Sequence, residues 1–314
     1  MFNTDPTGTF LAIVLVLNII RTAVAADYPL AADATAVGSN DTYVARADDT
    51  LADIARHYDL GYTQIVAANP GIDPWFPGGR RVLLATYHLL PDAPHRGIVI
   101  NLGEERLYYY PPDGRSVVTF PIGIAVEMPR TPLGATRIVS KHEHPIWYPP
   151  PSIREEQPDL PLAIGPGSDN PLGSFALYLG WSGYLIHGTN KPDSVGRMAS
   201  HGCIHLYPED VALLYDRVSI GTPVTVINEP VKVQWVGDVL YAEVHPSAAQ
   251  ALALESGESP KREQPADLAQ RVRAAAATDD GGVNWGVVER VASERTGVPR
   301  AVAVRRTGAS GLAD

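Results

Sequence analysis

The chain has 314 residues, 45% of them hydrophobic and 19% charged, with 28 glycines, 28 prolines and a single cysteine. That length accommodates one full-sized domain with one or two smaller ones, and the composition is that of packed globular protein rather than a disordered chain. A net charge of -10 excludes a nucleic-acid partner, because phosphate-backbone binding draws on clustered Lys and Arg.

An apolar run from Phe10 to Ile20, interrupted by Asn18 and followed by Ala23-Val24-Ala25, reads as an export signal over residues 1–25. Arg21 sits behind the run rather than ahead of it, so an uncleaved anchor or a mis-called start codon is the alternative. The run is short of the roughly twenty apolar residues that a bilayer requires, and no transmembrane domain is expected after signal cleavage. Export sharpens the meaning of Cys203: an oxidising compartment pairs thiols, and the chain holds no second cysteine. It is a packed filler, a link to another chain, or a reactive thiol.

Residues 26–41 are Ala-rich and without periodicity, which reads as a linker. From Tyr43-Val44 the pattern becomes compact. Asp48-Asp49-Thr50 caps a helix carrying Leu51, Ile54 and Ala55; a second helix runs from Tyr62 to Ala68 and is ended by Asn69-Pro70-Gly71; a strand from Arg81 to Ala85 closes the unit. This β-α-α-β unit, residues 42–86, resembles the LysM module through Tyr43-Val44, Asp49-Thr50-Leu51, Ile54-Ala55, Tyr58, Ile65, Ala68-Asn69-Pro70, Gly78 and Val82. The resemblance implies binding to the glycan strands of peptidoglycan or chitin. The plainer alternative is a small αβ cap that stabilises the next domain.

Residues 96–228 alternate apolar and polar side chains, as in Ile98-Val99-Ile100-Asn101-Leu102, with Asp113-Gly114 as a hairpin turn between Leu107–Tyr110 and Val117–Ile122. Many short strands predict a mainly β domain, sandwich or barrel-like. One helix interrupts it, opened by Pro208-Glu209-Asp210, with Val211, Leu214, Tyr215 and Val218 on one face. Residues 229–314 predict a hairpin over Val231–Val244 turning at Gly237-Asp238, then helices at Ala266–Ala276 and Trp285–Glu294, as a small helical appendage ending in a mobile tail.

The chemistry concentrates in Ile186-His187-Gly188-Thr189-Asn190 and Gly196-Arg197-Met198-Ala199-Ser200-His201-Gly202-Cys203-Ile204-His205-Leu206. A thiol attacks as thiolate, and a neighbouring imidazole lowers its pKa. His201 shares a strand face with Cys203, and His187 ends an adjacent predicted strand. Gly188 and Gly202 let backbone come close and leave amides for a developing oxyanion. A zinc site is the competing reading, disfavoured because Gly202 argues against the helix that would align His201 with His205. His142 and His144 read as surface or groove residues.

These two segments, with Thr131-Pro132-Leu133-Gly134 and Trp147-Tyr148-Pro149-Pro150-Pro151-Ser152-Ile153 upstream, resemble the L,D-transpeptidase or YkuD catalytic domain, in its Gram-negative periplasmic form with a LysM module. The resemblance implies that Cys203 attacks the third-residue diaminopimelate carbonyl of a tetrapeptide stem and releases D-alanine. His187 would take the thiol proton, oriented by the Gly188 carbonyl, while His201 and the amides around Gly202 and Cys203 steady the oxyanion. Substrate contacts are implied for Ser200, Arg197, His205, Thr189, Trp147 and Tyr184. The acceptor would be an amine of another stem or of an outer-membrane lipoprotein lysine, in the periplasm, with no metal or organic cofactor. Alternatives are a hydrolytic version (an L,D-carboxypeptidase or lipoprotein-releasing amidase) and a wall-binding LysM protein with a degenerate catalytic domain. Two family arginines are replaced, by His205 two residues after the nucleophile and by Met198 two residues before Ser200. Losing those carboxylate-binding forks predicts altered donor or acceptor choice, with Arg197 swinging in to compensate.

Overall fold

The computed structural model describes residues 26–125, 131–200, 202–265, 267–276 and 282–305. The expected export signal, residues 1–25, lies outside them. Among the described residues no helix is long and apolar enough to cross a membrane.

Residues 26–41 carry two short strands where a linker was expected. Strand β1 (Ala26–Pro29) runs antiparallel to Ser116–Thr119, and β2 (Ala36–Gly38) pairs with Tyr87–Leu89. Segments this short carry no periodicity of their own; the open edge beside them sets their conformation. Val37 and Tyr28 join a satellite core with Val99, Tyr108, Tyr110 and Val117.

The small α+β unit forms as the sequence pattern dictates: β3 (Asp41–Val44), α1 (Leu51–His57), α2 (Tyr62–Ala68) and β4 (Arg81–Leu84). Thr50 Oγ1 accepts from Asp53 N while Asp53 Oδ2 accepts from Thr50 N, each 3.1 Å, which closes a capping box at the start of α1. Asn69 ties the end of α2 to β4: its Nδ2 donates to Leu83 O at 2.9 Å and its Oδ1 accepts from Leu83 N at 2.7 Å. Leu51, Ile54, Leu60, Ile65 and Val82 fill the core. A connecting strand, β5 (Tyr87–Leu89), follows.

The main domain comprises β6 (Gly97–Asn101), β7 (Arg106–Tyr110), β8 (Ser116–Pro121), β9 (Ile124–Ala125), β10 (Gly134–Glu143), α3 (Pro151–Glu156), β11 (Phe175–Leu179), β12 (Leu185–His187), β13 (Met198–Ser200), β14 (Ile204–His205), α4 (Pro208–Arg217) and β15 (Pro223–Ile227). Its curled sheet runs β1-β8-β7-β6-β15-β10-β11-β12-β14, with β9 and β13 paired beside it. Helix α4 starts at Pro208, as expected, and buries Val211 and Leu214 against the sheet. A second, short helix, α3, also starts at a proline, Pro151, whose fixed φ suits the first helical position.

After residue 229 the described residues hold a hairpin and helices, joined by one strand, Arg300–Val304, that the sequence pattern did not mark. Strands β16 (Val231–Val236), β17 (Val239–Val244) and β18 (Arg300–Val304) form an antiparallel sheet packed against α6 (Leu268–Ala276) and α7 (Trp285–Glu294), with a core that includes Leu240, Leu268, Val272, Val291 and Val302. Helix α5 (Ala248–Glu255) leaves that unit and contacts α2 and β13.

The three units share tight junctions. Arg56 of α1 makes a bidentate pair with Glu209 of α4 at 2.8 and 2.9 Å. Arg106 of β7 donates to Asp59 O and Gln64 Oε1. Gly61 and Gly196 touch backbone to backbone; a Cβ on Gly196 would lie 2.1 Å from Gly61 Cα. The small unit is therefore seated on the loop that enters β13.

Candidate active site

Strands β12 and β14 run parallel, with Ile186 opposite Ile204 and His187 opposite His205. Side chains alternate along a strand, so the two isoleucines enter the core, both fully buried, and the two imidazoles share the other face, ring centroids 6.1 Å apart. Cys203 precedes β14. Its sulfur lies 3.7 Å from Gly183 O and is hydrogen-bonded by the Leu185 backbone, two residues before His187. Tyr178 of β11, opposite Leu185, flanks the sulfur, and His142 packs edge-on against Tyr178.

His187 Nδ1 lies 2.6 Å from Gly188 O. A carbonyl only accepts, so Nδ1 carries the proton and Nε2 presents a lone pair. Burial, with the neighbouring His205 adding to it, pushes the imidazole down to about 3, against the Gly188 bond that favours its charge. His187 is thus a neutral base at neutral pH. Burial also pushes the Cys203 thiol up, opposed by the Leu185 bond. The expected lowering of the thiol by an imidazole is not among the causes acting on Cys203; burial of each group favours a thiol and a neutral imidazole.

The Gly188 N–H, expected to be left for an oxyanion, donates to Phe175 O at 3.1 Å, while its carbonyl accepts from His187 Nδ1. Gly202 has φ 121°, a conformation that L side chains rarely adopt, and its carbonyl accepts from the buried Thr131 hydroxyl at 2.9 Å. His201 lies outside the described residues. Ser200 contributes backbone to β13, which pairs with β9.

The expected substrate contacts divide. Tyr184 and Trp147 are partly exposed, Tyr184 edge-on to Trp181. Thr189 is buried, its hydroxyl accepting from Lys191 N. His205, expected to meet substrate, is 4% exposed, with Nε2 2.9 Å from Ser194 Oγ and a ring that occupies the space of a Cβ on Gly123. Burial pushes it down to about 4, opposed by the Ser194 backbone bond. Arg197, expected to compensate for the missing arginines, stacks 3.3 Å over the Tyr62 ring and donates to Asp193 O; it faces the small unit. Thr131, Tyr178 and the Leu185 backbone were not singled out as site residues. Only Thr131 carried a signal, its place in Thr-Pro-Leu-Gly.

Among the described residues Glu104, Glu243 and His245 could together hold a metal ion. The Lys232 ammonium already fills that place, 2.5 Å from Glu104 and 2.7 Å from Glu243.

Comparison with known proteins agrees with this arrangement. Residues 95–226 match the L,D-transpeptidase (YkuD) catalytic domain, and residues 43–74 match the LysM domain. Over 300 residues the chain is 36% identical to a probable L,D-transpeptidase, YbiS, of Escherichia coli, covering 92% of this chain and 96% of that protein. It is 39% identical over 236 residues to the probable L,D-transpeptidase YcfS of the same organism, covering 72% of this chain and 74% of YcfS. It is also 39% identical over 221 residues to the probable L,D-transpeptidase ErfK/SrfK, covering 68% and 71%.

Proposed function

Because the chain belongs to the L,D-transpeptidase family with a YkuD catalytic domain and a LysM module, we propose that it is an exported periplasmic enzyme that transfers peptidoglycan stem peptides through a Cys203 thioester. The observation that carries this reading is the 2.6 Å contact from His187 Nδ1 to Gly188 O, which leaves Nε2 as the proton acceptor.

With both groups neutral at rest, proton transfer accompanies attack. As Cys203 Sγ bonds to the third-residue diaminopimelate carbonyl, His187 Nε2 takes the thiol proton. Collapse of the tetrahedral intermediate breaks the bond to the terminal D-alanine, whose amine leaves with that proton. An amine from a second stem, or from a lipoprotein lysine, then attacks the thioester and gives its proton to His187, which returns it to the sulfur. The oxyanion falls to backbone donors around Gly202 and Cys203, with Thr131 fixing the peptide that follows Gly202. The LysM module holds the enzyme to glycan strands, for which Trp75 and Phe76, 60% and 79% exposed, offer flat apolar faces.

The test is intact-mass spectrometry after exposure to a carbapenem. One covalent adduct mapping to Cys203 and absent from Cys203→Ser is expected; folded wild-type protein that gains no mass overturns the covalent reading. Product analysis on tetrapeptide stems then distinguishes a cross-linked dimer, the transfer product, from a free tripeptide stem, the mark of hydrolysis.

A further inference from the structure

We propose that Glu255 is a positioning residue for this reaction: it holds the strand leading to the nucleophile by accepting the Met198 amide, and couples that strand to the LysM module through Thr63. The proposal rests on the reading of Cys203 as nucleophile.

Glu255 ends helix α5 in the C-terminal unit. Its Oε1 accepts from Met198 N at 2.9 Å and from Thr63 Oγ1 at 3.3 Å, so three units meet at one carboxylate oxygen. Met198 opens β13, the strand that runs toward Cys203, and its side chain is buried beneath the sheet. The adjacent strand gives Ile124 N to Arg197 O at 3.1 Å, and the Met198 amide donates to the carboxylate. A charged acceptor grips an amide about twice as strongly as a neutral one. The preceding loop is held from the LysM side, with Tyr62 N on Val195 O, Thr63 N on Gly196 O at 2.8 Å and Arg197 over Tyr62.

A second carboxyl faces the same place. Glu105, at the left-handed turn into β7 (φ 54°), is pushed up to about 8 by burial and by Glu255, opposed by its contact with the Thr63 hydroxyl. Burial also raises Glu255, against the Met198 amide, the Arg197 charge and Thr63. At neutral pH Glu105 therefore keeps its proton beside the residue that binds the Met198 amide. Once Glu105 ionises, the two carboxylates repel, and a cavity of about 450 Å³ lined by Glu105, Met198 and Thr131 gives them room to part. Thr131, on the same cavity wall, holds Gly202 O, so the catalytic loop is gripped from this side at both ends.

The test uses the full-length protein, with carbapenem acylation rates at Cys203 measured against pH and hydrogen exchange of peptides spanning 196–206. Glu255→Ala is expected to slow acylation about tenfold and to speed exchange. Glu255→Gln, which keeps the acceptor oxygen, should recover most of both. The ratio of wild-type to Glu105→Gln rates should fall as pH rises through about 8, and should stay flat when both proteins also carry Glu255→Gln. Wild-type acylation and exchange in Glu255→Ala, slowed acylation without faster exchange, or a pH-independent ratio for Glu105→Gln would each overturn the proposal. Failure of the wild type to acylate at all overturns the reading of Cys203, whereas the hold on Met198 is read by exchange alone.

Discussion

Two clusters of ionisable groups lie equally deep in this molecule and end in opposite states. Between the main domain and the C-terminal unit, Lys232 sits between Glu104 and Glu243, all three at most 1% exposed in their side chains, with His245 2.6 Å from Glu243. Burial disfavours charge on Lys232, yet the two carboxylates outweigh it and raise the ammonium; burial likewise opposes charge on Glu243, and Lys232 outweighs it. On the face shared by β12 and β14, His187 and His205 have no carboxylate among the causes of their shifts, and burial drives both down. Desolvation is common to both places; the presence of an opposite charge decides whether the group stays ionised. The buried quartet is a charged joint, and the histidine pair is held neutral.

His187→Ala should have the largest effect, slowing acylation by about 10²–10⁴-fold while leaving the melting temperature near wild type. The same reasoning fixes a pH signature. A base held down at about 3 keeps its lone pair throughout the range where an ordinary histidine protonates, so acylation should show no acid limb centred near 6.5. An acid limb at that pH would mean that an imidazolium forms on the resting face and would end the contrast between the clusters. For stability the sign is that of a depressed folded pKa: the contribution of His187 and His205 is present above about 6.5 and is lost as pH falls toward 4 and then 3.

Lys232→Met attacks the other cluster. It strands Glu104 and Glu243 without their cation, and a loss of about 3–5 kcal/mol in unfolding free energy is expected by denaturant titration. A loss under about 1 kcal/mol would show that water reaches the joint. Thr131→Val is smaller. It keeps the shape but leaves Gly202 O without its 2.9 Å donor, which costs about 1–3 kcal/mol locally; acylation should fall about tenfold with little change in global melting.

Sequence pattern revealed the elements whose determinants are local. Helix α2 begins and ends where Tyr62 and Asn69-Pro70 place its limits, the Asp113-Gly114 turn joins β7 to β8, and Pro208 opens α4. Elements set by distant partners were hidden: β1 and β2 exist because Ser116–Thr119 and Tyr87–Leu89 offer open edges, and β18 because β17 does. The same division holds within the site. His187 beside Gly188 is a contact between chain neighbours and was legible. The destinations of Arg197 on Tyr62 and of Met198 N on Glu255 depend on how three units dock, which no local pattern encodes.

A third buried site tests the comparison most sharply, because it has too few cations to follow the quartet. At the junction of the LysM module with α4, Asp210 is hydrogen-bonded to Asp59, both nearly inaccessible. Burial raises Asp210 well above the ordinary carboxyl range; Asp59 and Glu209 add to that, and Arg106 opposes it. The arginines nearby are already engaged, Arg106 with Asp59 O, Gln64 and Thr119, and Arg56 with Glu209. The pair therefore meets desolvation by retaining a proton, the solution that neither of the other clusters uses. A folded pKa raised above its unfolded value gives stability that is complete below about 4 and declines as pH rises through the folded value. Asp210→Asn supplies an amide donor where the shared proton stood. Melting measured across pH should show the wild type losing stability on the alkaline side relative to this variant, by about 1 kcal/mol near neutrality. Parallel curves for the two proteins would mean that the aspartates ionise independently, and that burial without a counter-charge leaves these carboxyls charged after all.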